Sequence, residues 1–265
     1  MPSSIPYSRT EVPPEYLSPS CFGTFPELVA LQSTRMGGVS NGPFRSLNLG
    51  ITTTDDAENV RENTSILSSA AGFDPAGLVS SDQVHGTSIL IAEKPGRYPG
   101  YDAFITRTAN LFLCIYTADC YPVLIYDPVN RAAGAAHAGW KGTAGRIVVK
   151  TLEAMHESFG TKPSECTVWI GSGISAGAYE VGGEVAEAFP SECCLPATSE
   201  EDGEKKQLDL SLANYLQLVR SGIPETNIGR SPFCTFRDSD LFYSYRRDNG
   251  ITGRMASIIG MKPGF

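Results

Sequence analysis

Histidine is scarce in this chain of 265 residues: there are three, and none belongs to an HxH pair. A centre of several copper ions draws on many imidazoles and is therefore excluded. Neither CxxC nor HExxH occurs, so the common local zinc signatures are missing too. The seven cysteines form no regular framework, and an odd number leaves one unpaired, which points to a reducing cytoplasm and not to secretion. No apolar run approaches bilayer-crossing length, and the opening MPSSIPYSRTEVPPEY lacks a hydrophobic signal core, so no membrane partner is expected. Lys and Arg number 21 against 29 Asp and Glu, without a basic cluster, so nucleic acid is not an expected partner either. There is no internal repeat and no convincing linker.

What the chain does have is concentrated between Asp102 and Arg146. Residues 111–116, 123–126 and 131–136 are short apolar runs bounded by turn signals and read as buried strands. Cys120 lies between the first two runs, and His137 closes the third. Upstream, His85 sits in a Gly-flanked turn between apolar runs at 77–79 and 89–91. Taken singly, a cysteine after a strand is ordinarily a small core residue, and a histidine a hydrogen-bonded structural one. Together, two imidazoles and a thiol at strand ends can form an open zinc site of three protein ligands.

The blocks QVHG, TADCYPVLIYDP and HAGWKGT resemble the signatures of the laccase-domain (multicopper polyphenol oxidoreductase) family. Its members are described as zinc-dependent purine nucleoside phosphorylases, with a peptidoglycan-editing branch. TRMGGVSNGPFRSLNLG, YEVGGEV, CTF and FYSYRRDNGITGRM agree in order, from Thr34 to Met255. Lys141, where Arg is common, and Ser172, where Pro is expected, depart from the pattern without touching a ligand position. The resemblance implies one Zn2+ per chain on His85, Cys120 and His137. It also implies a layered sandwich fold.

Arg35, beside Gly37 and Gly38, is a candidate bidentate holder of phosphate and a candidate catalytic residue with Cys120 and His137. Asn48, in the turn-rich block 46–50, is a candidate substrate contact. A helix predicted over 143–159 would start beside His137 with free amides, making Gly142 and Thr143 candidate phosphate ligands. Arg246, grouped with Arg247 and Arg254, is a further candidate, and Asp102 and Asp119 are candidates for supporting or proton-transfer roles. His156 reads as a surface residue.

Elsewhere the pattern predicts helices over 55–72, 183–189 and 209–221, and strands over 28–32 and 166–170. Residues 1–20 are expected to lie extended, 95–100 to form a loop, and 196–207 to form a mobile loop. Strands at 242–246 and 254–259 are expected to pair as a hairpin about Asn249-Gly250. These readings give a single α/β (α+β) domain over 1–265, with mixed β-sheets and flanking helices.

The function implied by the resemblance is phosphorolysis of adenosine, inosine and methylthioadenosine to base and ribose 1-phosphate, with adenosine deaminase activity. A peptidoglycan-precursor editing amidase or a Cys-His hydrolase would use the same residues and stands as the alternative. A multicopper laccase is rejected for want of histidines. The expected partners are a small nucleoside and phosphate, acting on a cytoplasmic monomer or small homo-oligomer.

Overall fold

The structure, a computed structural model, describes residues 13–196 and 205–264. In chain order the first half holds β1 (Tyr16–Leu17), β2 (Leu28–Ser33), α1 (Ala57–Ala71), β3 (Leu78–Ser80), β4 (Ile89–Ile91) and β5 (Gly96–Arg97). The central block follows: β6 (Ala103–Thr106), β7 (Phe112–Thr117), β8 (Tyr121–Asp127), β9 (Ala132–Ala138), α2 (Trp140–Ala144), α3 (Ile147–Phe159) and β10 (Thr167–Ile170). Then come β11 (Glu180–Val181), α4 (Gly183–Ala186), β12 (Cys194–Pro196), β13 (Lys206–Leu208), α5 (Leu210–Arg220), β14 (Ile228–Arg230) and β15 (Met255–Met261).

Two six-stranded mixed sheets form the body, in the orders β1-β2-β15-β7-β3-β5 and β14-β10-β8-β9-β6-β4, and β11-β13-β12 make a small third sheet. Strand alternation explains the layering. On β8, Val123 and Ile125 face α3 and α5, while Leu124 and Tyr126 face the other sheet. On β7, Leu113 and Ile115 meet them across the gap, while Phe112 and Cys114 back onto Leu67 of α1. The order of layers is therefore α1, sheet, sheet, α3 with α5. Both faces of the central strands are buried, which is why they read as continuous apolar runs and not as alternating ones. Each buried Leu or Ile contributes about 1.5–3 kcal/mol.

Helix ends follow their local chemistry. The Asp56 carboxylate accepts from the Glu58 amide at the start of α1, and Gly72, at φ 70°, closes it. Asp209 caps α5 in the same way.

Several expectations change. The helix predicted over 143–159 is two helices, because Arg146 adopts the left-handed conformation (φ 61°) between α2 and α3. The predicted tail hairpin does not form. The Arg247 guanidinium donates to the carbonyls of Thr235, Phe236 and Phe242 and coils the 242–248 segment around itself. The second predicted strand becomes β15 and pairs with β2 and β7 instead. The runs at 77–79 and 89–91 are strands, but in different sheets. The loop expected at 95–100 contributes the edge strand β5, and the helix expected over 183–189 is the single turn α4. The predicted mobile loop at 196–207 falls mostly outside the described residues, and its described ends are strand; residues 1–12 of the N-terminal segment also lie outside them. No helix among the described residues is long and apolar enough to cross a membrane.

Candidate active site

The same alternation that builds the core delivers the reactive groups to one end of it. His137 follows Ala133 and Ala135 onto the inter-sheet face of β9, and Asp102 precedes Phe104 on the inter-sheet side of β6. Cys120 occupies the turn between β7 and β8, where Asp119 is held at φ 95°. Two long-range contacts to its carboxylate fix that turn: Thr235 Oγ1 donates at 2.8 Å, and the Arg246 amide at 2.7 Å. His85 arrives from the opposite side, on the loop between β3 and β4, with φ 61°. Gln83 pins this loop by exchanging both of its amide hydrogen bonds with the backbone of Tyr116, as an extra strand residue would.

The ligating atoms of His85, Cys120 and His137 all lie within 4.8 Å of one another. Asp102, fully buried, accepts from His137 Nδ1 at 2.8 Å and from the amides of Val84, His85 and Gly86. That bond leaves Nε2 of His137 as the free nitrogen, the arrangement by which a carboxylate orients a metal-ligating imidazole. Gly139 makes the approach possible, since a Cβ there would stand 2.9 Å from Cys120 Sγ and 3.1 Å from His85 Cδ2.

Charge is organised around the thiol. Burial pushes Cys120 up, but the charge of His137 and hydrogen bonds from both histidines outweigh it and bring the thiol down to about 6. Burial depresses His137, yet the Cys120 thiolate and the Asp102 hydrogen bond raise it to about 9. Asp102 is pushed up by burial and, more strongly, held below its ordinary value by His137 and the Gly86 and His85 amides. Two imidazole nitrogens and a thiolate beside a cavity could hold one metal ion.

These groups form part of the wall of a cavity of about 540 Å³, of a size that holds a small ligand. Trp140, Tyr179 and Tyr245 supply flat walls, and Arg246 and Arg254 supply cations. Arg246 lies over Tyr179 and donates to the Glu180 carbonyl, while Arg254 lies over Tyr245 and donates to the carbonyls of Thr252 and Gly253.

Of the residues predicted from sequence, His85, Cys120, His137, Asp119 and Arg246 line this cavity. Asp102 stands behind His137. Arg35 does not line it: its guanidinium donates to the carbonyls of Arg45 and Ser239 and covers the Tyr243 ring. Asn48 is buried behind the wall, where its carbonyl oxygen accepts from the amides of Gly50 and Arg254. Gly142 and Thr143 lie inside α2 and do not line the cavity. The Thr143 amide is bonded to Gly139, its hydroxyl to Asn214, and its carbonyl to Gln217. His156 is exposed on α3. Sequence reasoning missed the aromatic walls and Thr117, although Thr117 opens the TADC block.

The protein named purine nucleoside phosphorylase from Deinococcus radiodurans is 42% identical over 229 residues, covering 86% of this chain and 87% of that protein. Purine nucleoside phosphorylase YlmD of Bacillus subtilis is 36% identical over 249 residues, 89% of each chain. Among solved structures, the hypothetical protein YfiH of Bacillus licheniformis superposes with a TM-score of 0.88 at 32% identity, over 96% of this chain and 98% of that one. The family model described as multi-copper polyphenol oxidoreductase laccase matches residues 29–262, a span that includes every element of the site just described. The chain belongs to that family.

Proposed function

We propose that the protein is a zinc-dependent purine nucleoside phosphorylase that cleaves adenosine, inosine and methylthioadenosine to base and ribose 1-phosphate, and that the same site deaminates adenosine. The observation that carries this reading is the convergence of His85, Cys120 and His137 on the wall of a cavity also lined by two arginines and by Tyr116, Trp140, Tyr179 and Tyr245. One Zn2+ per chain would sit on these three residues. When bound, it would supply a Lewis-acid charge and lower the pKa of water at the open side.

The protein's own groups account for the remaining chemistry. Arg246 and Arg254 would gather phosphate and orient one oxygen toward C1′ of the ribose. That oxygen bonds to C1′ as the C1′–N9 bond breaks, and the base leaves with the electron pair and takes up a proton. Asp102 holds His137 in one tautomer throughout. In deamination, water replaces the C6 amino group and ammonia leaves. We place the protein in the cytoplasm, as one domain acting as a monomer or small homo-oligomer.

One observation favours a second reading. Cys120, His137 and Asp102 stand in series, with the thiol near 6, as a metal-free Cys-His hydrolase or an editing amidase of peptidoglycan precursors would require. Metal analysis, followed by incubation with adenosine or inosine with and without phosphate, separates the two. The expected result is about one zinc per chain and phosphate-dependent base release, with both nucleoside activities lost together in Cys120→Ala. Zinc-loaded protein that leaves every nucleoside intact would transfer the assignment to the hydrolase.

A further inference from the structure

Four buried side-chain polar atoms among the described residues have no hydrogen-bond partner: the hydroxyls of Thr117, Thr161 and Ser257, and Oε1 of Gln217. Of these four residues, only Thr117 lines the cavity beside Cys120. It is 1% exposed, at the last position of β7. The two residues before it on the same inter-sheet face are Leu113 and Ile115. Packing alone would be served by valine, which has the same shape, favours strands and strands no hydroxyl. Thr117 lines the cavity while its hydroxyl oxygen is itself closed to solvent, so a ligand there would meet that oxygen after a turn of the side chain.

We infer that Thr117 determines specificity by hydrogen bonding to the 2′- or 3′-hydroxyl of the substrate's ribose, the two hydroxyls common to all the proposed substrates; this rests on the nucleoside reading above. The other parts of a nucleoside and its co-substrate are matched elsewhere on the wall. Phosphate belongs with the cations Arg246 and Arg254, which lie over Tyr179 and Tyr245, and the flat base with the Trp140 ring. The sugar joins the two and must lie between them. A threonine hydroxyl is neutral and both donates and accepts, which suits another hydroxyl better than an anion.

The test uses the zinc-loaded full chain, with Thr117→Val, Thr117→Ser and, should the valine variant not fold, Thr117→Ala. Inosine, 2′-deoxyinosine and 3′-deoxyinosine are assayed at saturating phosphate. The valine variant should lose about tenfold in kcat/KM on inosine, and serine should restore most of it. On one of the two deoxy analogues, wild type and valine variant should be equal, because the partner hydroxyl is already gone. Without substrate, the valine variant should melt no lower than wild type. A loss under about twofold on inosine, or the same loss on all three nucleosides, overturns the contact while leaving the phosphorylase reading intact. If wild type cleaves no nucleoside, thermal shift with inosine decides. A shift in wild type and serine variant but not in valine keeps the contact without the activity; equal shifts in all three, or none in any, overturn it.

Discussion

Asp102→Asn tests the idea that one buried carboxylate assembles the site from two separate segments. Oδ1 accepts from His137 Nδ1 at 2.8 Å and from the His85 amide at 3.0 Å; Oδ2 accepts from the Gly86 amide at 2.6 Å and the Val84 amide at 3.2 Å. Asparagine offers one carbonyl oxygen, so whichever way it turns, two of the four donors face an NH2 group. Each charge-assisted bond contributes about 1.5–3 kcal/mol, so losing two costs about 3 kcal/mol at the low end. For a chain of this size the melting midpoint should fall by about 6–12 °C. Zinc affinity should weaken by about 10–100-fold, since the carboxylate sets the tautomer and orientation of His137.

The sign of the pH dependence follows from the lowered Asp102 pKa. A carboxyl held below its unfolded value contributes stability that is fully present above about pH 4 and is lost as pH falls through the folded value. The gap between wild type and variant should therefore be constant from neutrality to about pH 4 and close below it. Calorimetric melting across that range, together with zinc competition against a chromophoric chelator, measures both quantities. A midpoint within about 2 °C of wild type and an affinity within about threefold would refute the reasoning.

Two further outcomes are expected. At pH 7.5 Cys120, near 6, is already a thiolate while His137, near 9, still carries a proton, so zinc binding should release about one proton; titration calorimetry in buffers of different ionisation heat reads the number, and zero release would contradict the charge assignment. Gly139→Ala should weaken zinc binding by about tenfold or more with little change in melting temperature, because φ −74° and ψ 174° accept alanine while its Cβ would crowd Cys120 Sγ at 2.9 Å; undiminished affinity would show that the three ligands have room to spare.

The parts of this fold legible in the sequence are those written over short distances along the chain. Asp56 and Gly72 bracket α1, and the apolar runs around Cys120 become β7 and β8, because capping and strand burial depend on neighbouring residues. The convergence of His85, Cys120 and His137 was legible from two imidazoles and a thiol at strand ends and from the family blocks around them. What the pattern misplaced depends on partners far away. The tail reads as a hairpin until the Arg247 guanidinium finds the carbonyls of Thr235 and Phe236, and the Arg246 amide finds Asp119, 127 positions earlier. Gly142 and Thr143 read as an anion site until α5 claims Thr143 through Asn214 and Gln217. Arg35 has the chemistry of a phosphate ligand, but its guanidinium lies over Tyr243 and does not line the cavity. Period and composition report which face is buried, not which distant group a polar side chain meets.

The family description names several coppers and a phenol oxidase, and the donor inventory of this chain argues against both. Three histidines exist in all. His156 lies exposed on α3 with Nδ1 bonded to the Thr161 carbonyl, which leaves two imidazoles for metal. Those two, with Cys120, form the one cluster of potential ligands found among the described residues, and their donor atoms fall within a span of 4.8 Å, room for a single ion. Moving four electrons to dioxygen needs several redox centres in contact, and a mononuclear site cannot provide them. A single ion beside an arginine-lined cavity suits polar, two-electron chemistry on a small substrate. The donor set therefore argues against a multicopper oxidase, and it does so independently of any relative's name.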